Sequence, residues 1–167
     1  MKKIVSFFLC LIIIYTFSGC KKNSEILPIT SDFSFTADVT YNNETFCYKV
    51  EIIPKTDNKI MLKSTDTATN ITYTFFGQQI TEELFGIKNT RDISSLPESS
   101  VLDLLYFVFS DIRENSKTVT NTDNEYFIES KIMKYDYKIT FGASGIPIDI
   151  HEKNFNIDVN IKDAKLL

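Results

Sequence analysis

Phe33, Phe35, Ala37, Val39 and Tyr41 alternate with Ser34, Thr36, Asp38 and Thr40, and a period of two over nine residues predicts a half-buried β-strand. The same alternation recurs along most of the chain. Asn42-Asn43 marks a tight turn into a second strand over 44–53, where Phe46, Tyr48, Val50 and Ile52 share a face. Thr56-Asp57-Asn58 then turns the chain into a strand over 59–64, Ile71, Tyr73 and Phe75 line up another, and Gly77 leads into a weaker one over 79–85. Residues 89–94 are polar and predict a loop. Beyond residue 117 the pattern resumes weakly over 117–120, then clearly in Tyr126, Ile128, Ser130 and Ile132 and in Tyr135, Tyr137, Ile139 and Phe141. Gly142 to Gly145 supplies a hairpin turn into Ile146, Ile148 and Ile150, with Pro147 tolerated at an edge or bulge. His151 to Asn154 predicts a turn into Phe155, Ile157, Val159 and Ile161.

One segment breaks the period. Ser95-Leu96-Pro97-Glu98 matches a capping box, and Val101, Leu104, Leu105, Val108 and Ile112 then fall on one helical stripe. Leu102, Tyr106 and Phe109 widen that stripe to an arc of roughly 200°, about twice what one contact face needs. Phe107 falls on the polar side with Asp103, Asp111 and Glu114. The reading is a helix of about 18 residues, roughly 27 Å long and 10 to 12 Å across. Eight or nine strands at about 4.8 Å spacing make a sheet about 40 Å wide. Such a helix cannot cover that sheet laid flat, so the sheet curls, splits into a sandwich, or leaves apolar surface open. The wide apolar arc favours curling. The fold class is therefore α+β, mostly β: a curved antiparallel meander sheet, or half-barrel, holding one main helix on its concave face.

The N-terminus follows a different logic. Lys2 and Lys3 precede an apolar run over residues 4–17 and then Ser18, Gly19 and Cys20, the tripartite layout of a secretory signal. The run is shorter than the roughly 20 residues a membrane span requires. Phe17-Ser18-Gly19-Cys20 resembles the bacterial lipobox, with Phe17 in place of the usual leucine. That resemblance implies cleavage between Gly19 and Cys20 and acylation of Cys20, with two or more acyl chains anchoring the mature protein where one would not hold it. Residues 1–19 then form the signal, 20–31 a lipidated tether containing Pro28, and 32–167 a single domain. The expected location is the cell membrane or outer membrane, on a lipid anchor facing away from the cytoplasm.

Removal of the signal takes Lys2 and Lys3 from the 18 basic residues and none of the 22 acidic ones, leaving 148 residues with a formal charge of −6. An acidic chain of this kind argues against nucleic acid as a partner. With Cys10 in the signal and Cys20 acylated, Cys47 has no disulfide partner. Its strand places it on the more polar face, as a half-buried residue or a reactive thiol.

Catalytic patterns are sparse. A single histidine, His151, excludes multi-histidine metal sites. Asp149 and Ser144 lie near it in sequence without a nucleophile elbow, and Glu82-Glu83, Asp149, Asp158 and Asp163 read as solvated charges. No metal, cofactor or enzymatic role is expected.

Leu96-Pro97-Glu98 followed by Leu104-Leu105-Tyr106, the strands over 135–141, 146–150 and 155–161, and the ending Lys162-Asp163-Ala164-Lys165 resemble, in element order, the Lol-type lipoprotein carrier half-barrel and related lipid-binding lipoproteins. The resemblance covers about residues 33–165. The chain has fewer helices than the carriers and no evident arginine lining a cavity, so what the resemblance implies is an apolar cavity able to take acyl chains. Phe35, Val50, Ile52, Tyr73, Phe75, Leu105 and Phe109 are the candidate lining residues. The function expected is non-catalytic binding of a lipid or other apolar ligand by a protein anchored in the membrane. The alternative is an interaction protein of the envelope with a filled core.

Overall fold

The period-two stretches become β1 (Phe33–Tyr41), β2 (Glu44–Pro54), β3 (Ile60–Asp66), β4 (Thr72–Phe76) and β5 (Gln79–Leu84). After the helix come β7 (Thr120–Thr122), β8 (Glu125–Ile132), β9 (Tyr135–Phe141), β10 (Pro147–Glu152) and β11 (Ile157–Leu166). The computed structural model describes residues 31–97, 100–115, 117–122, 125–142 and 144–167. The expected signal, its expected acceptor Cys20 and nearly all of the expected tether lie outside them. Eleven strands join in one antiparallel sheet of order β6-β5-β4-β3-β2-β1-β11-β10-β9-β8-β7. The extra strand is β6 (Ile87–Asp92), where the sequence suggested a polar loop. It pairs with β5 in full register from Gln79–Asp92 to Leu84–Ile87 and forms one edge. An edge strand whose side chains are mostly solvated carries no apolar alternation, so nothing in its pattern marked it.

The α-helix of the described residues, α1, spans Leu102–Glu114, 13 residues rather than 18. Ser95 does not cap it. That residue ends a 3₁₀ turn over Ile93–Ser95, opened by Asp92, whose carboxylate accepts from the Ser94 amide at 2.8 Å. Leu96 is extended, with φ −69° and ψ 142°, as the residue before a proline is steered to be. A helix therefore cannot run through residues 95–97. Glu98 lies outside the described residues.

Nine of the 13 helical residues are buried, on nearly every side. The Tyr106 ring stacks on Phe75 of β4 at 5.5 Å, while the ring of its neighbour Phe107 lies 6.2 Å from Tyr135 of β9. In a flat sheet those two strands, six spacings apart, would be separated by about 29 Å, more than twice a helix diameter. The sheet is therefore curved around the helix, which sits on its concave face. Phe109 meets Phe33 and Phe35 of β1, near the middle of the sheet, at 5.8 and 5.6 Å.

Asp103 and Asp111 are buried, not solvated as the helical wheel suggests. Tyr135 Oη donates to Asp103 Oδ1 at 2.7 Å, and Lys134 Nζ lies 3.2 Å from Oδ2. Tyr137 Oη and Ser130 Oγ both donate to Asp111 Oδ2 at 2.8 Å, with Lys117 Nζ 3.4 Å from Oδ1. Buried carboxylates persist because each oxygen has a partner. Between them on the helix, Phe107 is half-buried and packs against the core rather than pointing into water.

Smaller features of β2 and β10 follow from local geometry. A register shift between Pro147 and Asp149 turns Ile148 outward while Pro147 and Ile150 are buried, so the proline sits at a bulge inside the sheet. His151 and Glu152 end β10 instead of forming a turn, and Phe155 falls in the turn before β11. Glu152 is fully buried, accepting the amides of Asp136, Asn154 and Phe155 at 2.7 to 3.0 Å. Cys47 is half-buried opposite Asp38.

Candidate functional site

The helix is too short to cover the whole concave face. Where β1 ends and β2 begins, a cavity of about 480 Å³ remains, lined by Tyr41, Asn42, Glu44 and Phe46, by Tyr73, Glu82 and Arg91, and by residues of 96–102 that lead into α1. Each contribution follows from strand parity. Tyr41 and Phe46 continue the concave-facing series of β1 and β2 past the point where α1 starts. Tyr73 pairs with Glu82 across β4 and β5, and Arg91 pairs with Ile80 across β5 and β6. These registers place Tyr73, Glu82 and Arg91 on the same face, diagonally adjacent.

The lining is mainly apolar and aromatic with one charged corner. Arg91 Nη2 donates to Glu82 Oε1 at 2.6 Å. The Nε of the same guanidinium is buried and has no hydrogen-bond partner among the described residues. Burial, reinforced by the Glu82 and Asp66 carboxylates, holds the Tyr73 phenol above its ordinary value. Burial pushes Tyr48, next along this face of β2, up to about 12. Both phenols are therefore neutral at physiological pH. A second cavity of about 250 Å³ lies between the 3₁₀ turn and the β8–β9 turn, lined by Gln78, Ile93, Ser94, Leu96, Asp103, Phe107, Met133 and Lys134.

Of the lining residues named from the sequence, Tyr73 reaches the larger cavity. Phe35, Val50, Ile52, Phe75, Leu105 and Phe109 are packed in the core beneath or on the helix. Tyr41, Phe46, Leu96, Val101, Leu102 and Arg91 line the cavity without having been foreseen. The alternation already placed Tyr41 and Phe46 on the concave face, but the helix start was set six residues early. Arg91 corrects the expectation of no lining arginine, since it arrives on the unforeseen strand β6.

Other titratable groups are paired at the surface. His151 Nδ1 lies 2.7 Å from Asp158 Oδ1, Thr140 donates to Asp149 at 3.0 Å, and Glu83 pairs with Lys88 at 3.3 Å. Among the described residues no group of three or more His, Cys, Asp or Glu side chains is placed to hold a metal ion. No described helix is long and apolar enough to cross a membrane.

No protein-family model matches the chain, and no curated protein does. Similarity is found among solved structures. A crystal structure of MucB aligns with a TM-score of 0.44 at 9% identity, over 84% of this chain and 55% of that one. The chain thus spans about half the length of MucB. A LolA superfamily protein from Nitrosomonas europaea aligns with a TM-score of 0.44 at 8% identity, over 87% and 91% of the two chains. A domain from Vibrio parahaemolyticus, described as an outer membrane lipoprotein-sorting protein, aligns with a TM-score of 0.40 at 9% identity, over 81% and 85%.

Proposed function

We propose that the chain is a membrane-anchored envelope lipoprotein that binds one apolar chain of a lipid or similar ligand and does not transform it. The observation that carries this reading is the cavity at the uncovered end of the concave face. Its volume falls within the roughly 300 to 1,000 Å³ of ligand pockets, which are mostly apolar with a few placed polar groups. Tyr41, Phe46, Tyr73, Leu96, Val101 and Leu102 provide the apolar wall, and Arg91 with Glu82 the polar corner.

The anchor in this proposal is acylated Cys20, exposed by cleavage after Gly19. From Cys20 to Asp32, 12 residues of extended chain reach about 40 Å, which keeps the body within that distance of its membrane. Two experiments test the two halves separately. Metabolic labelling with an alkyne fatty acid should mark the protein, and Cys20→Ala should abolish the label; labelling that survives would remove the anchor. Native mass spectrometry of the chain from Lys21 onward should show one bound acyl lipid, and a clean apo mass in the presence of lipid would remove the cavity's role.

A second reading, an interaction protein with a filled core, draws on two hairpin tips. Phe85 and Met133 are 93% and 80% exposed, at φ +50° and +51°. Most other left-handed turn positions carry Asn or Asp, so bulky apolar residues at these two are costly locally. That arrangement favours contact with a partner at the tips.

A further inference from the structure

The β5–β6 hairpin closes on a two-residue turn whose central residues, Phe85 and Gly86, both have positive φ, +50° and +80°. That is the type I′ geometry, which Asn-Gly adopts with little strain. Among the described residues every other non-glycine position with positive φ except Met133 carries Asn or Asp, so phenylalanine here departs from the chain's own usage. Its ring is almost wholly exposed, and Ile87 beside it is 77% exposed. Directly behind them the surface turns polar: Glu83 and Lys88 pair at 3.3 Å, and Glu82 stands opposite Asn89. Leu84 and Ile87 continue the face that carries Glu82 and Arg91, so the apolar tip begins about 7 Å along the strand from Glu82 of the larger cavity. Area decides what such a tip can meet. A stable protein complex needs roughly 800 Å² from each partner. An exposed ring offers about 150 to 250 Å², and with Ile87 the tip stays well short of that before the charged pair begins. A bilayer demands less, because an apolar point backed by polar groups can seat about 5 to 10 Å into the boundary between headgroups and acyl chains. The acidic balance of the chain gives no attraction to anionic headgroups, so the contact rests on burial of the two side chains.

We propose that the β5–β6 tip is a membrane-contact element. Phe85 and Ile87 enter the headgroup–acyl boundary of the bilayer, Glu83 and Lys88 stay at headgroup level, and the larger cavity is thereby held beside the lipid layer. The inference rests on the reading that acylated Cys20 ties the chain to that bilayer, since two side chains alone bind weakly and the tether supplies the local concentration that makes weak contact count.

The chain has no tryptophan, so Phe85→Trp gives a single fluorescent reporter at the tip. The full-length lipoprotein is reconstituted with vesicles of phosphatidylcholine brominated in the upper acyl chain, and association is checked by flotation. Emission of the Phe85→Trp protein should shift to the blue and lose about half its intensity, as a ring about 5 to 10 Å below the headgroups would. Phe76→Trp, at the opposite end of the β4–β5 hairpin and also exposed, should keep its intensity. Ile87→Trp should be quenched like Phe85→Trp, and adding Phe85→Asn should remove most of that quenching. The same Phe85→Asn change installs Asn-Gly and should raise the thermal midpoint, so lost contact is told apart from lost fold. An unquenched Phe85→Trp in protein that floats with the vesicles would overturn the tip's role and leave the anchor reading intact, as would equal quenching of Phe76→Trp. Protein that does not float would overturn both.

Discussion

The two sides of α1 are held by different physics. Toward β8 and β9 the contacts are polar and directional: Asp103 takes Tyr135, and Asp111 takes Tyr137 and Ser130. Toward β1 and β4 they are mainly rings on rings, Phe109 on Phe33 and Phe35, and Tyr106 on Phe75, with one hydrogen bond from Tyr106 Oη to the Gly77 carbonyl at 3.0 Å. Buried hydrogen-bonded carboxylates fix position and register, because a shift strands a charge. Apolar packing is non-directional and tolerates adjustment, especially beside a cavity. A helix pinned by two buried carboxylates on one flank and held mainly by packing on the other can yield more readily toward the second, and the larger cavity lies on that side of the fold.

This contrast can be broken most severely from the apolar side. Phe109→Ala removes a fully buried ring at the centre of the sheet and should cost about 4 kcal/mol, read as a lowered urea midpoint. On the clamped side, Asp111→Ala leaves the Tyr137 and Ser130 hydroxyls without their acceptor and should cost about 3 kcal/mol. The two losses should differ in kind. Loss of the ring should leave α1 in place, whereas loss of Asp111 should raise amide exchange selectively along α1 and β9.

Alkaline titration probes the clamp without mutation. Burial, then Asp103, hold the Tyr135 phenol well above its ordinary value, and burial, then the Asp111 hydrogen bond, do so for Tyr137. Below pH 10 both folded and unfolded states keep these protons, so their contribution is fully present. Above it the unfolded phenols ionise while the folded ones do not, and stability falls by about 1.4 kcal/mol per pH unit for each phenol. Thermal midpoints should therefore drop steeply between pH 10 and 11, and Tyr135→Phe should make the drop shallower. The smallest effect is expected at the cavity wall. Leu102 is half-buried there, and Leu102→Ala should cost less than about 1 kcal/mol while reducing the lipid-bound fraction seen by native mass spectrometry.

Much of this architecture was readable in the chain, for reasons that also explain what was not. Strict alternation located β1, β2, β9 and β11, because each is half-buried and every residue reports its face. The apolar arc of α1 announced that the sheet wraps it, since burial on several sides leaves few positions for polar residues. Asp103 and Asp111 misled because a carboxylate reads as solvated unless its partner is known. The partner was signalled only indirectly, by Tyr135 and Tyr137 carrying hydroxyls on an otherwise apolar face. Arg91 and the cavity were hidden by β6, an edge strand with no apolar period, and by Pro97, which delays the helix and uncovers the end of the concave face. Six residues of core were consequently nominated as cavity lining, with Tyr73 the one at its wall.

Hydrogen–deuterium exchange of the protein with and without a monoacylglycerol tests the central claim most directly. A guest at the yielding flank should slow exchange in residues 100–102 and along β5 and β6, and leave β8 and β9 unchanged. Slowing confined to β8 and β9, or no change in residues 100–102 at saturating lipid, would contradict it.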